Sequence, residues 1–300
     1  MPFVSLTLLI LHPASAIINS TVPFGNTSAP TGVGSEPSDP GFDYVGKLNG
    51  STGVYLGYGW VLTANHVGAG TFALDGTNYS YNGVDSHQIG EADLRIFKLS
   101  TNPMLAPLQI ATTSPTVGTD VVMIGAGRSP VSEETWHVDT DPDPWVWNTS
   151  AFPGSDFTAS GYTTSSTTKT KRWGTNVVEA LDSDFTYSGY STPMSAIITD
   201  FDAGGEATAF ESQAVTNDSG SGLFVYNGSA WELAGAIVTV ATYSAQPGGA
   251  SSALFGNLTI ALDLVAYAAD INSIIIPEPA AGAYLVACVS LLLVTRRRRR

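Results

Sequence analysis

The sequence predicts an all-β protein with many tight turns. Short runs rich in Val, Ile, Tyr and Thr alternate with clusters of Gly, Asn, Asp and Pro, and the 300 residues include 31 glycines and 17 prolines. Such runs are typical of β-strands, and such clusters are typical of the turns that join them. With 43% apolar residues, the chain can bury a sizeable core, arranged as one large domain or two fused sub-domains.

The first sixteen residues are predicted to be a signal peptide. An apolar core, FVSLTLLIL, is followed by small residues at Ala14 and Ala16, the pattern that signal peptidase cleaves. We therefore expect export through the inner membrane and cleavage after Ala16. Residues 17–46 are predicted to form a flexible lead segment, because residues 17–40 are rich in Gly, Pro, Ser and Thr.

The C-terminus, residues 274–300, carries a second targeting element. Pro277-Glu278-Pro279 precedes a mostly apolar run and five terminal arginines, which would stay on the cytoplasmic side of a membrane. This order resembles the PEP-CTERM sorting signal of Gram-negative bacteria, which implies processing by an exosortase and a final place in the cell envelope or outside the cell. A plain C-terminal transmembrane anchor is the alternative, and it predicts the same topology.

The charge balance argues against nucleic acid as a partner. Five of the 12 Lys and Arg lie in the tail, which leaves seven in the body, against 26 Asp and Glu in the whole chain. Such an acidic body should repel nucleic acid, whose affinity for proteins comes largely from basic contacts with phosphate. The single cysteine, Cys288, also lies in the tail, so no disulfide is expected in the mature body.

Three stretches carry side chains suited to acyl transfer. Residues 53–68, GVYLGYGWVLTANHVG, predict two strands joined by a Gly-Tyr-Gly turn and then a bend that holds His66 at the rim of a sheet. Asp93, in EADLRIFKL, lies directly before a predicted apolar strand, where its carboxylate can orient an imidazole. Ser219, in VTNDSGSGLF, stands between Asp and Gly, a pattern that by itself indicates only a turn. It becomes a nucleophile only with a base, an orienting group and donors for an oxyanion.

The blocks WVLTANHV, ADLRIFKL and NDSGSGLF resemble, in this order, the three signature blocks of the chymotrypsin-like (trypsin-like) serine proteases. The resemblance implies that His66 is the base, that Asp93 orients it, and that Ser219 is the nucleophile of an endopeptidase. Such an enzyme cleaves protein or peptide substrates through an acyl-enzyme and needs no cofactor.

The same resemblance implies two antiparallel six-stranded β-barrels with the active site in the cleft between them. Residues 47–118 would form the first barrel, and residues 119–273 the second, with a long insertion at about 128–184. The pattern IALDLVAYAADINSII, residues 260–275, has apolar residues at helical spacing. We expect it to form a short closing helix that ends before Pro277.

Four positions decide how well the resemblance extends. Asn217 stands where the family usually has Gly, and its N–H would form the oxyanion hole with that of Ser219. Gln213 stands where the family has the base of its primary specificity pocket, and a neutral amide there argues against strict cleavage at Lys or Arg unless the nearby Glu211 supplies the charge. Asp218 would pair with a new N-terminal amine, which cleavage before Ile17 would supply. In LAGAIVTV, which resembles the family's substrate-pairing strand, Thr239 is predicted to support Asp93.

A different class of function is also open. The insertion contains four tryptophans, Trp136, Trp145, Trp147 and Trp173. Such residues either pack a long loop onto its barrel or bind sugar or peptide in a non-catalytic envelope protein. We favour the packing role. Asp139, Asp141 and Asp143 have the spacing of calcium-loop ligands, but Pro144 and Ser150 stand where such a loop needs Gly and Glu. A turn is therefore predicted there, and no metal is expected.

Overall fold

The computed structural model describes residues 10–13, 15–33, 36–37, 39–187 and 189–276. Most of this part consists of β-strands, as the sequence predicts. The N-terminal strands are β1 (Ile10–Pro13), β2 (Ser15–Asn19), β3 (Gly32–Val33) and β4 (Glu36–Pro37). β3 and β4 pair only with each other, and a 3-10 turn at Phe42–Tyr44 leads into the first large sheet.

The first sheet has seven antiparallel strands in the order β10-β11-β7-β6-β5-β8-β9. In chain order they are β5 (Val45–Leu48), β6 (Ser51–Gly57), β7 (Trp60–Thr63), β8 (Phe72–Leu74), β9 (Thr77–Tyr79), β10 (Tyr81–Gln88) and β11 (Arg95–Leu99). Every residue of β6 and β7 is buried, so this pair forms the centre of the sheet.

The remaining strands and the helix follow from residue 120. They are β12 (Asp120–Gly125), β13 (Arg128–Asp139), β14 (Val146–Asn148), β15 (Phe157–Lys169), β16 (Arg172–Tyr187), β17 (Tyr190–Asp200), β18 (Ser212–Val215), β19 (Gly222–Tyr226), β20 (Trp231–Thr242), β21 (Ser252–Leu254), β22 (Leu258–Asp263) and α1 (Ala268–Ile275). Six of these eleven strands belong to the second sheet.

The second sheet closes on itself. Its order is β1-β20-β19-β12-β16-β17-β22, and β22 also pairs with β20, so six strands form a ring and β1 is added to one of them. The predicted number of six strands therefore fits this ring, whereas the first sheet has seven strands. At one end of the first sheet lies a short hairpin, β8–β9, whose Asp75 and Gly76 both have positive φ, of 47° and 78°. An Asp-Gly pair with this geometry forms the tight turn that hairpins favour.

Strands β13, β14 and β15, within residues 128–169, form a separate sheet with β21, in the order β14-β13-β15-β21. The inserted part is therefore shorter than the predicted residues 128–184, because β16 pairs with β12 in the ring from Arg172 onward. Trp136, Trp145 and Trp147 pack with Phe157 and Tyr243 in one aromatic cluster.

The start of the predicted lead segment belongs to the folded body. β2 pairs with β18, and the side chains of Ile17 and Ile18 are both fully buried. This apolar pair fixes the segment to the strand that leads toward Ser219.

The closing helix is shorter than predicted. Leu258–Asp263 form strand β22, a 3-10 turn follows at Leu264–Tyr267, and α1 covers only Ala268–Ile275. Pairing with β17 and β20 on both sides of β22 overrides the helical spacing of its apolar residues. The change occurs at Asp263, whose carboxylate accepts the Val265 N–H at 3.0 Å.

The predicted sorting tail lies outside the described residues from Pro277 onward. Among the residues that are described, no helix has the length and apolar character needed to cross a membrane.

Candidate active site

The two sheets bring His66, Asp93 and Ser219 together. His66 Nε2 lies 2.8 Å from Ser219 Oγ, and His66 Nδ1 lies 2.6 Å from Asp93 Oδ2. The Asp93 side chain is fully buried, whereas that of His66 is 26% exposed. The imidazole can therefore exchange a proton with Ser219 on one side while the carboxylate holds its other nitrogen.

Strand pairing explains why His66 and Asp93 meet. In the antiparallel pair β7–β11, Arg95 lies opposite Thr63. The bend after β7 and the turn before β11 therefore emerge at the same edge of the first sheet. Asp93 binds His66 at two points, because Asp93 Oδ1 also accepts the His66 backbone N–H at 2.9 Å.

Two tyrosines complete the surroundings of Asp93. The Tyr187 hydroxyl donates a hydrogen bond to Asp93 Oδ2, and the Tyr190 hydroxyl interacts with the same carboxyl group. Burial raises the pKa of Tyr190 to about 12, and burial together with the charge of Asp93 raises the pKa of Tyr187 further. Sequence reasoning missed both residues, because nothing near YSGY indicates contact with a residue about ninety positions earlier.

A tight backbone turn presents Ser219 between β18 and β19. The N–H of Asp218 donates to the Val215 carbonyl at 3.2 Å, and that of Ser221 donates to the Asp218 carbonyl at 2.7 Å. Gly220 has a φ of 86°, and a Cβ at this position would lie 2.2 Å from the Thr52 carbonyl oxygen. The position therefore requires glycine for both backbone conformation and space.

Asn217 adopts the left-handed conformation that the usual glycine would have, with a φ of 82°. Its carbonyl accepts a hydrogen bond from Thr52 Oγ1 at 3.2 Å. Thr52 also donates its backbone N–H to the Ser219 carbonyl at 3.2 Å. Within the described part of the chain the Asn217 N–H donates no hydrogen bond, so it is available to an added acceptor.

A family model described as Trypsin matches residues 32–253, which include His66, Asp93 and Ser219. The chain belongs to the trypsin family. A search of curated proteins found no match.

Three solved structures are similar to this trypsin-family chain at low identity. An inactive form of the protease Rv3671c is 16% identical, with a TM-score of 0.44, and the match covers 78% of this chain and 90% of the other. A mutant inactive form of Rv3671c from M. tuberculosis H37Rv is 16% identical, with a TM-score of 0.42, and the match covers 80% of this chain and 90% of the other. Neuropsin, a serine protease of mouse brain, is 15% identical, with a TM-score of 0.44, and the match covers 78% of this chain and 95% of the other.

Asp218, which precedes Ser219 in this trypsin-family chain, is fully buried. Its carboxylate accepts from the Val215 N–H at 3.3 Å, from the Ser221 hydroxyl at 3.2 Å and from the Gly127 N–H. Burial raises the pKa of Asp218 well above its ordinary value. These donors already surround the carboxylate, and its pairing with an amine at Ile17 stays a prediction.

Gln213 is fully buried on β18, where Nε2 lies 3.4 Å from Asn257 Oδ1. Asn257 in turn exchanges hydrogen bonds with Gln246. The nearby Glu211 is occupied by Asn176 and Thr208, and burial raises its pKa to about 7. Gln213 therefore contacts a neutral amide, while the Glu211 carboxylate accepts hydrogen bonds from Asn176 and Thr208.

Thr239 is buried in β20, opposite Ile260 of β22 and Pro13 of β1. Its support of Asp93 stays a prediction. The residues that the structure describes contain no cluster of three His, Cys, Asp or Glu side chains that could hold a metal ion. Asp139 accepts the Asp141 N–H at 3.0 Å within a turn.

Proposed function

We propose that this chain is an exported serine endopeptidase that hydrolyses peptide bonds through Ser219, His66 and Asp93. The observation that carries the proposal is the placement of His66 between Ser219 Oγ, at 2.8 Å, and Asp93 Oδ2, at 2.6 Å. A serine hydroxyl in reach of a base, with a carboxylate that orients the base, is the arrangement that nucleophilic acyl transfer needs.

In the proposed reaction, Ser219 Oγ attacks the scissile carbonyl carbon while its proton moves to His66 Nε2. Asp93 accepts the Nδ1–H and stabilises the imidazolium that forms. His66 then returns the proton to the leaving amine, and a water molecule, deprotonated by the same nitrogen, hydrolyses the acyl-enzyme. The N–H groups of Asn217 and Ser219 are proposed to bind the oxyanion, a contribution worth about 2.7–4 kcal/mol of barrier per donor.

The neutral surroundings of Gln213 support a pocket without strict preference for Lys or Arg. A buried cationic side chain needs a paired charge, and Gln213 offers only an amide that already contacts Asn257. We therefore expect cleavage after uncharged residues.

The N-terminal pairing supports a proposed step of maturation. β1 pairs with the end of β20, where Ile10 lies opposite Thr242 and Pro13 lies opposite Thr239. β19 pairs with an earlier part of the same edge, from Trp231 to Ala236. The part of β20 opposite β1 overlaps the predicted substrate-pairing strand. Export and cleavage after Ala16 would remove β1 and free that edge, so the uncleaved chain would be the less active form.

Direct hydrolysis of peptides tests the proposal. The purified protein, with residues 1–16 removed, would be incubated with a mixed peptide library and the products read by mass spectrometry. We expect cleavage by the wild type and by Ser229→Ala, a control at an exposed turn, and none by Ser219→Ala. Cleavage by Ser219→Ala at the wild-type rate would refute the proposal.

A non-catalytic envelope-binding protein is less well supported by the contacts. Trp136 and Trp173 are buried, and Trp147 donates its indole N–H to the Ser244 carbonyl at 3.0 Å. These side chains pack the protein, so they offer little surface to a sugar ring.

A further inference from the structure

The hairpin of β16 and β17 reaches from the second sheet to the first. At its base, Arg172 to Val177 pair with β12 inside the ring. At its tip, Tyr187 lies opposite Tyr190, and the two rings are 5.3 Å apart. Phe185 stacks on Tyr187 at 5.6 Å, so the tip is held by its own aromatic side chains.

Three side chains of this hairpin contact the segments that carry His66 and Asp93. Tyr187 donates its hydroxyl hydrogen to Asp93 Oδ2. The Tyr190 hydroxyl accepts from Asn65 Nδ2 at 3.0 Å, next to His66 in the chain. Thr192 donates to Glu91 Oε2, two residues before Asp93. The hairpin therefore contacts both segments.

The Asp93 carboxylate needs such donors because it is fully buried. A charge away from water is costly unless it is paired and hydrogen-bonded. The pKa of Tyr187 is raised by burial first and by the charge of Asp93 second, so its hydroxyl remains protonated at any working pH. Tyr187 can therefore only donate to the carboxylate.

We propose that Tyr187 is a positioning residue of the active site, whose hydroxyl holds the Asp93 carboxylate aimed at His66 Nδ1. This inference rests on the proposed function of Ser219, His66 and Asp93. Without the hydroxyl, Asp93 keeps its bonds to His66 but loses a donor that shares its charge and limits its rotation. Acylation then slows, because the carboxylate aims the imidazole of His66 at Ser219 less well.

The test compares Tyr187→Phe with Tyr162→Phe in the full chain. Tyr162 is a matched control, because it is also buried and its hydroxyl donates to the Ser20 carbonyl at 2.9 Å, in contact with none of the three active-site residues. The rate of labelling by a fluorophosphonate and the kcat and KM for a peptide would be measured from pH 5 to 9, beside Tm.

We expect Tyr187→Phe to lower kcat roughly tenfold or more, as loss of a hydrogen bond to a charged group does, with KM unchanged. The control should have a lower Tm and an unchanged kcat. A Tyr187→Phe protein with a lowered Tm and the wild-type kcat would overturn the inference.

A readout independent of turnover separates this inference from the proposed function. The low-field proton NMR resonance of His66 Nδ1–H should shift in Tyr187→Phe and not in Tyr162→Phe, whether or not the wild type hydrolyses peptides; an unchanged resonance would count against a positioning role. If Tyr187→Phe does not fold, Thr192→Ala loosens the hairpin and retains the Tyr187 hydroxyl. It should give the same resonance a smaller shift, and no shift would again contradict the role.

Discussion

His66 and Asp93, beside the first sheet, are fixed by side-chain hydrogen bonds, whereas Ser219, on the second sheet, is fixed by a backbone turn. Asp93 holds His66 through both of its carboxylate oxygens. Ser219 depends instead on the positive φ of Asn217 and Gly220. The difference indicates that His66 and Asp93 are sensitive to changes in side-chain hydrogen bonding, whereas the position of Ser219 is sensitive to changes in backbone conformation.

The largest effect should come from Asp93→Asn. The amide cannot stabilise the imidazolium and favours the wrong tautomer of His66, for which a loss of about 10⁴ in kcat is typical. Asp120→Asn, at an exposed position, is the matched control. Steady-state kinetics on a cleavable peptide measures both variants, and a loss below tenfold would contradict the role given to Asp93.

On the second sheet, Gly220→Ala should destabilise the protein and abolish labelling of Ser219. Its Cβ would meet the Thr52 carbonyl oxygen, and the left-handed backbone alone costs about 1–3 kcal/mol. Gly228→Ala is a close control, since Gly228 has a φ of 91° and nothing within 4 Å of an added Cβ. Urea denaturation should show a greater loss at Gly220; equal losses would mean that the contact with Thr52 is unimportant.

Substitutions of Asn217 test the same backbone turn with a smaller expected effect on the structure. Asn217→Gly keeps the left-handed conformation and should retain kcat, whereas Asn217→Val strains it, because β-branched residues rarely adopt positive φ. Misplacing one oxyanion donor lowers kcat by about 10²–10³. Equal kcat values for the Gly and Val variants would show that this N–H does not reach the oxyanion.

Removal of residues 1–16 should raise the rate of fluorophosphonate labelling. The pairing of β1 with Thr239–Thr242 covers part of the predicted substrate strand, although it leaves His66 in contact with Ser219. We expect a larger gain for a peptide substrate than for the small probe. Equal rates before and after removal would mean that β1 does not restrict the site.

The smallest effect concerns the pH dependence of stability. Burial raises the pKa of Glu211 to about 7 and that of Asp200 to about 6. Between about pH 4 and 7 the folded protein therefore binds more protons than the unfolded chain, so these groups make the free energy of unfolding fall as pH rises. In Glu211→Gln, Tm should be lower overall but should change less between pH 5 and 8; an unchanged slope would show that Glu211 does not contribute.

The all-β class could be predicted from the local composition of strands and turns. The meeting of His66, Asp93 and Ser219 could be predicted only because three short blocks resemble those of a known family. Asn217 could also be assessed in advance, since few residues besides glycine tolerate its backbone conformation.

Contacts between distant segments could not be predicted in the same way. Tyr187 reaches Asp93 only because β16 and β17 extend beyond the ring, and strand length is set by pairing that the local sequence does not reveal. Residues 258–263 have helical spacing, yet β22 pairs on both sides. Tertiary pairing decided both outcomes.

The activation of Ser219 by His66 is the central claim, and covalent labelling tests it most directly. The protein without residues 1–16 would be treated with a fluorophosphonate, and intact mass would be read for the wild type, Ser219→Ala and His66→Ala. A single adduct on the wild type that both variants lack is the predicted result. A folded wild type that takes no adduct, or variants that label equally well, would contradict the account.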